Sequence, residues 1–96
     1  MNYKASLAAL LLVAPAFAFA EQTIADLKPN TQVTISGTVE RIADEDTFIL
    51  SDESGQIEVY LGPNLVPVPA GIAVTVTGIV DDGPIPEIYA GSLQTS

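Results

Sequence analysis

Two short acidic runs, Asp44-Glu45-Asp46 and Asp81-Asp82, are the residues of this 96-residue chain whose type and spacing could do chemistry. Carboxylates can move protons, ligate hard cations, or hold a positively charged ligand in their field. The chain has no His and no Cys, so His-dependent triads, thiol chemistry and the usual zinc sites are absent. Two carboxylates could still act as acid and base, but twelve acids against three cations make chance pairs inevitable. The chain is not expected to be an enzyme. Calcium takes carboxylate and carbonyl oxygens, which makes Asp44, Asp46, Asp81 and Asp82 candidate ligands; Asp52-Glu53-Ser54-Gly55 offers similar atoms, and neither run has the EF-hand spacing. No other cofactor is called for. Without a ligand, acidic turns are simply solvated and keep the protein soluble.

The first twenty residues belong to targeting. Met1–Ala20 has one early cation, Lys4, then an apolar run from Leu7 to Ala20 that ends Ala18-Phe19-Ala20. A small-x-small ending followed at once by Glu21-Gln22 is the pattern of a cleaved secretory leader. The run is shorter than the roughly 20 residues a spanning helix needs, and Pro15 interrupts it. Cleavage after Ala20 removes Lys4 and leaves two cations against twelve acids, a net charge of −10 (2 − 12). No second apolar run could insert in a membrane, so the mature protein is expected in the periplasm. Without Cys it has no disulfide staples and must rely on a well-closed apolar core.

Thr23–Lys28 reads as a short capped helical turn, with the Thr23 hydroxyl accepting from the Asp26 N–H and Pro29 ending it. The periodicity then becomes two. Val33, Ile35, Gly37 and Val39 alternate with polar residues and predict a first strand from Gln32. Thr47–Ser51 and Gln56–Leu61 predict a hairpin, with Phe48, Leu50, Ile57, Val59 and Leu61 inward and Gly55 free to take positive φ in the turn. Gly62–Gly71 holds Pro63, Pro67 and Pro69, which block helix and central strand, so this loop folds back over one end of the core. Ile72–Val80 and Glu87–Leu93 complete five strands. Residues 32–93 are expected to form one domain, after a lead-in at 21–31 and before a tail at 94–96.

V-T-I-S-G-T-V at Val33–Val39 returns as V-T-V-T-G-I-V at Val74–Val80. Two such units are too few for a stacked repeat, which needs about three. A small barrel accounts for the likeness better. In the OB arrangement the first strand pairs with both the second and the fourth, which puts these two stretches side by side. Mid-strand Gly37 and Gly78 then bend long strands where the sheet closes. The expected fold is all-β, a five-stranded OB-fold barrel with a short N-terminal helical turn, and Gly37, Gly55 and Gly78 are its structural glycines.

Over about Ile24 to Leu93 the chain resembles the bacterial OB-fold (BOF) family, the small periplasmic YgiW/YdeI-type stress proteins. The matching residues are Val33-x-Ile35-x-Gly37-x-Val39, then Thr47-Phe48-x-Leu50-x-Asp52-x-x-Gly55-x-Ile57-x-Val59. They continue as Val74-x-Val76-x-Gly78-x-Val80-Asp81 and Glu87-Ile88. The chain departs from that pattern in its reduced N-terminal segment, its lack of Trp and its Pro-rich loop. The resemblance implies a role in stress tolerance.

An OB-fold binds its ligands on the face of strands two and three, between the first and fourth loops. Here those loops carry Asp44, Glu45, Asp46, Asp81 and Asp82, and the face offers Thr47, Ile49, Ser51, Glu58 and Tyr60. Five rim carboxylates with one aromatic would repel phosphate, where single-strand binding needs cations and stacking platforms. Nucleic acid is therefore not the expected partner. The expected ligand cleft comprises Asp44, Glu45, Asp46, Ile49, Tyr60, Asp81 and Asp82, and suits Ca²⁺ or a cationic peptide. Tyr60 and Tyr89 could stack on a glycan, or pack across the sheet with wet hydroxyls. Ile49 and Ile79 beside a Tyr would form an apolar patch, and the second hypothesis is an interaction module that meets another envelope protein and takes no small ligand.

Overall fold

A computed structural model describes residues 22–96; the leader expected at Met1–Ala20 lies outside the described residues. Five strands, β1 (Gln32–Asp44), β2 (Thr47–Asp52), β3 (Gly55–Tyr60), β4 (Ala73–Val80) and β5 (Glu87–Thr95), follow one 3-10 turn at Ile24–Asp26. They close into a barrel in the order β1-β2-β3-β5-β4. All pairings are antiparallel except β3 with β5. None of the described helical segments is long and apolar enough to cross a membrane.

The alternation in the sequence is the cause of the barrel. Val33, Ile35, Val39, Phe48, Leu50, Ile57, Val59, Val74, Val76, Val80 and Ile88 point inward and are buried, and among the described residues no polar or charged side chain is buried with them. Each such side chain contributes about 1.5–3 kcal/mol relative to exposure. Val66 and Val68 of the Pro-rich loop pack against this core from one end, as expected, and so does Ile72, which just precedes β4. Ile24 closes the other end.

Closure depends on β1. Its first part pairs with β4, from Gln32↔Ile79 to Thr38↔Ala73. Its second part pairs with β2, from Thr38↔Ser51 to Asp44↔Thr47, through two register shifts. Gly37 sits just before the change of partner. A Cβ there would lie 2.5 Å from the Ser51 carbonyl oxygen and 3.1 Å from a Leu50 methyl. Gly78 sits where β5 gains an extra residue, Gly91, opposite the Thr77/Gly78 step. A Cβ on it would collide with the Tyr89 carbonyl oxygen. Both are close-approach positions that only glycine satisfies.

Several expectations need correction. Gly55 has no positive φ; the side chain of Asp52 organises that turn instead, through bonds to the Ser54 and Gly55 N–H groups. The N-terminal turn is three residues long, and the Thr23 hydroxyl donates to the Asp26 carboxylate at 2.9 Å while the Thr23 carbonyl takes the Asp26 N–H. Residues 94–96 are not a tail. β5 continues to Thr95, and Ser96 donates its N–H to Ala73, because β4 extends far enough to pair with them. Asp44 belongs to β1, so the first turn is only Glu45-Asp46.

On the outside of β1 and β4 the polar residues pair with each other. Thr34 and Thr77 hydroxyls stand 3.1 Å apart, Ser36 and Thr75 2.9 Å, and Thr75 and Ser96 3.4 Å. These pairs carry hydroxyls and no charge, while Asp52 and Glu53 border the Ser36 end of the band.

Gly37→Ala and Gly78→Ala should each destabilise the barrel by about 1–3 kcal/mol, because backbone must move to admit the methyl. Gly55→Ala meets only Ile24 at an ordinary 3.9 Å and should change stability by less than about 0.5 kcal/mol. Urea denaturation of the three variants checks this contrast.

Candidate functional site

Register fixes which side chains share the outer face of β2, β3, β5 and β4. One cross-strand row runs Thr47, Tyr60, Tyr89, Ile79. The next runs Arg41, Ile49, Glu58, Glu87, and Asp81 extends it by donating its N–H to the Glu87 carbonyl at 2.8 Å. A row of three carboxylates, Glu58, Glu87 and Asp81, therefore lies beside a row of two tyrosines and an isoleucine.

The tyrosines pair edge to face, with ring centroids 5.8 Å apart and planes at 66°. Tyr60 is 37% exposed, Tyr89 51% and Ile79 47%. Such a geometry sets the positive ring edge of one against the negative face of the other and leaves much of each ring to solvent. The Tyr89 hydroxyl is held above its ordinary pKa, first by the charge of Asp81, then by partial desolvation and the charge of Glu87. Glu87 is also pushed up. Burial is the largest cause, followed by the charges of Glu58 and Asp81, a side-chain hydrogen bond with Glu58, and the charge of Asp46.

The expected site residues are only partly brought together. Asp46 and Asp81 act on a common group, Glu87, but β3 and β5 lie between their loops. Three strand spacings from Thr47 to Ile79 are roughly 14 Å, more than the Debye length of about 8 Å at physiological salt. The negative field over the tyrosines is thus made by Asp81 together with Glu87 and Glu58, while Asp46 on the far loop adds less. Asp44 accepts the Glu45 N–H at 2.8 Å, Asp46 accepts the Thr47 hydroxyl at 3.0 Å, and Asp82 accepts the Asn30 side-chain amide at 3.5 Å. Ile49 is 5% exposed, so the expected apolar patch lacks it; Ile79 and the tyrosines remain.

Among the described residues no three acidic side chains form a group able to hold a metal ion. Asp52 is occupied by the fold. Its carboxylate accepts from the N–H groups of Ile24, Ser54 and Gly55 and from the Ser54 hydroxyl, at 2.9, 2.7, 3.1 and 2.6 Å. Burial alone would raise its pKa, but the hydrogen bonds from the Ser54 hydroxyl, Ile24, Ser54 and Gly55 outweigh that and hold it below the usual range. It fastens the N-terminal turn to the β2–β3 hairpin.

No protein-family model matches the chain, and no curated protein matches its sequence. Solved structures do match. The hypothetical protein YgiW from E. coli superposes with a TM-score of 0.63 at 23% identity, over 85% of this chain and 99% of that one. OBody AM1L10, in its complex with hen egg-white lysozyme, gives 0.68 at 19% identity, over 85% and 98%. The barrel is an OB-fold. On an OB-fold the face just described is the ligand-facing one, and here it presents carboxylates and tyrosines, with Arg41 at its far edge.

Sequence reasoning missed Glu87. Its place beside Glu58 comes from the parallel β3–β5 pairing, which no local pattern announces. Glu58 and Tyr60 were legible from alternation alone.

The two perturbed carboxylates should respond to pH in opposite senses. Asp52 has a depressed folded pKa, so its stabilisation is complete above the unfolded value of about 3.9 and is lost as pH falls through the folded value. Asp52→Asn should cost about 1–2 kcal/mol at pH 7, and the difference should shrink in strongly acidic melts. Glu87 has a raised folded pKa, so its penalty is absent well below about 4.3, grows as pH rises, and is complete above the folded value. Glu87→Gln should stabilise the barrel by about 0.2–1 kcal/mol at pH 7, the scale of a cross-strand like-charge pair, and do nothing in melts near pH 3.

Proposed function

We propose that this protein is a non-catalytic binding module of the bacterial cell envelope that takes a cationic peptide on the β3–β5–β4 face. The observation that carries this reading is the row of Glu58, Glu87 and Asp81 beside the exposed Tyr60–Tyr89 pair. A Lys or Arg side chain gains there from carboxylates and from ring faces together. A peptide is favoured over Ca²⁺ because the carboxylates form a row across strands and, among the described residues, no cage. The leader-like Met1–Ala20 supports export to the periplasm. The family resemblance and the likeness to YgiW support membership of the BOF family and a part in envelope stress tolerance. OBody AM1L10 bound to lysozyme is a protein of this fold engaging another protein.

A second reading has one observation behind it. Ile85 is 77% exposed and borders a groove of about 220 Å³ lined by Ile49, Gln56, Ile57, Glu58, Ile85 and Pro86. That groove suits an apolar side chain of an envelope protein, with no small ligand involved.

The test is an NMR titration of the mature protein with a Lys-Leu-Lys-Leu-Lys peptide at low and high salt. Amide shifts should centre on residues 58–60, 79–82 and 87–89 and weaken as salt rises. Replacing Glu58 and Glu87 together by Gln should lower affinity about three- to tenfold. Shifts confined to Ile85 and its groove, insensitive to salt, would favour the apolar partner. No shifts with the peptide, but shifts with glycan fragments, would replace the cationic ligand by a sugar.

A further inference from the structure

β5 is longer than the strand that covers it. Among the described residues β3 pairs with β5 only through Glu58–Tyr60 against Glu87–Tyr89, whereas β5 runs on to Thr95 against β4. Its outer edge is open beyond Tyr89. The direction of the backbone groups follows from two bonds. Asp81 donates to the Glu87 carbonyl, and Ser96 donates to the Ala73 carbonyl. Antiparallel ladders alternate, so with the extra residue at Gly91, Ser92, Gln94 and Ser96 face β4. Leu93 and Thr95 therefore turn their N–H and C=O groups away from it, and no described backbone group bonds to them there.

Ala90–Leu93, where this edge begins, forms one wall of a groove of about 220 Å³ whose other wall is Leu61 and the Pro-rich loop; Thr95 continues the edge just beyond it. Leu61, Leu65, Pro67, Ala90 and Leu93 supply its apolar surface, and no charged residue lines it. Proteins normally blunt an open edge with Lys, Pro or charge. Ala90–Thr95 has none of these. The loop wall is held in place by backbone bonds to the first turn, with Val66 donating to the Glu45 carbonyl and Leu61 to that of Asp46.

We propose that the Leu93–Thr95 edge takes an extended segment of a partner polypeptide as an added strand. Backbone amides of that segment meet Leu93 and Thr95, as in β-augmentation generally. A small aliphatic side chain enters the groove between Leu65 and Leu93, and the strongly acidic chain favours a partner segment that carries positive charge. A second copy of this chain is the poorer occupant, because each copy carries a formal charge of −9, or −10 without the leader (2 − 12), and brings the same acids. The surface is separate from the carboxylate–tyrosine row and does not rest on it.

Hydrogen exchange of the mature protein with the peptide acetyl-Lys-Thr-Val-Thr-Val-Thr-amide tests the assignment. The amides of Leu93 and Thr95 should exchange more slowly with the peptide bound. Thr95→Pro deletes a donor that points away from β4, a placement that edge strands tolerate. It should weaken binding about fivefold, the value of one hydrogen bond, with the thermal melt unchanged. A peptide N-methylated at alternate amides should not protect the edge. Unchanged exchange at saturating peptide overturns the proposal. So does protection that depends on protein concentration alone, which would make a second copy the occupant, or equal binding of the N-methylated peptide.

Discussion

One strand has to serve two neighbours. β1 pairs with β4 over its first half and with β2 over its second, and the barrel exists only because it changes partner at Thr38. Without disulfides and with a wholly apolar interior, the chain has nothing else to hold its ends of sheet together. The change of partner needs the backbone of β2 to approach β1 within the space of a missing side chain, and Gly37 provides that space. Gly78 does the same where β4 meets the extra residue of β5. Core, rims and outer face all take their positions from these two contacts.

The outer face inherits its chemistry from register. Because β3 and β5 run parallel, Glu58 comes to lie beside Glu87, a repulsive pairing that a structural sheet has no use for. The opposite case is Asp52, whose carboxylate is saturated by hydrogen bonds from the N-terminal turn and the hairpin. One acid stabilises the fold and the other strains it at neutral pH.

Much of this was legible from alternation. Val33, Ile35, Val39, Phe48, Leu50, Ile57, Val59, Val74 and Val76 are inward as their spacing requires. The paired Gly-centred stretches indicated neighbouring strands, and Thr34↔Thr77 and Ser36↔Thr75 do pair. Failures occurred where side chains substitute for backbone signals. The Asp52 turn looked like a Gly55 turn because a carboxylate cap and a positive-φ glycine leave similar sequences. Ile49 looked exposed because alternation places it outward, and only the packing around it makes it buried. Glu87 was invisible because long-range parallel pairing leaves no local trace. The end of β5 was lost because Gln94, Thr95 and Ser96 are polar enough to pass for a tail.

The hydroxyl pairs on β1 and β4 make one seam of the barrel indifferent to pH. Thr34, Ser36, Thr75 and Thr77 form an uncharged band across it, bordered by Asp52 and Glu53 at one end and by Asp82, which accepts the Asn30 side-chain amide, at the other. Cross-strand hydroxyl pairs each contribute roughly 0.2–1 kcal/mol, and their strength does not depend on a carboxylate keeping its charge. While Asp52 and Glu87 change their contributions with pH, the closure of β1 on β4 keeps its own.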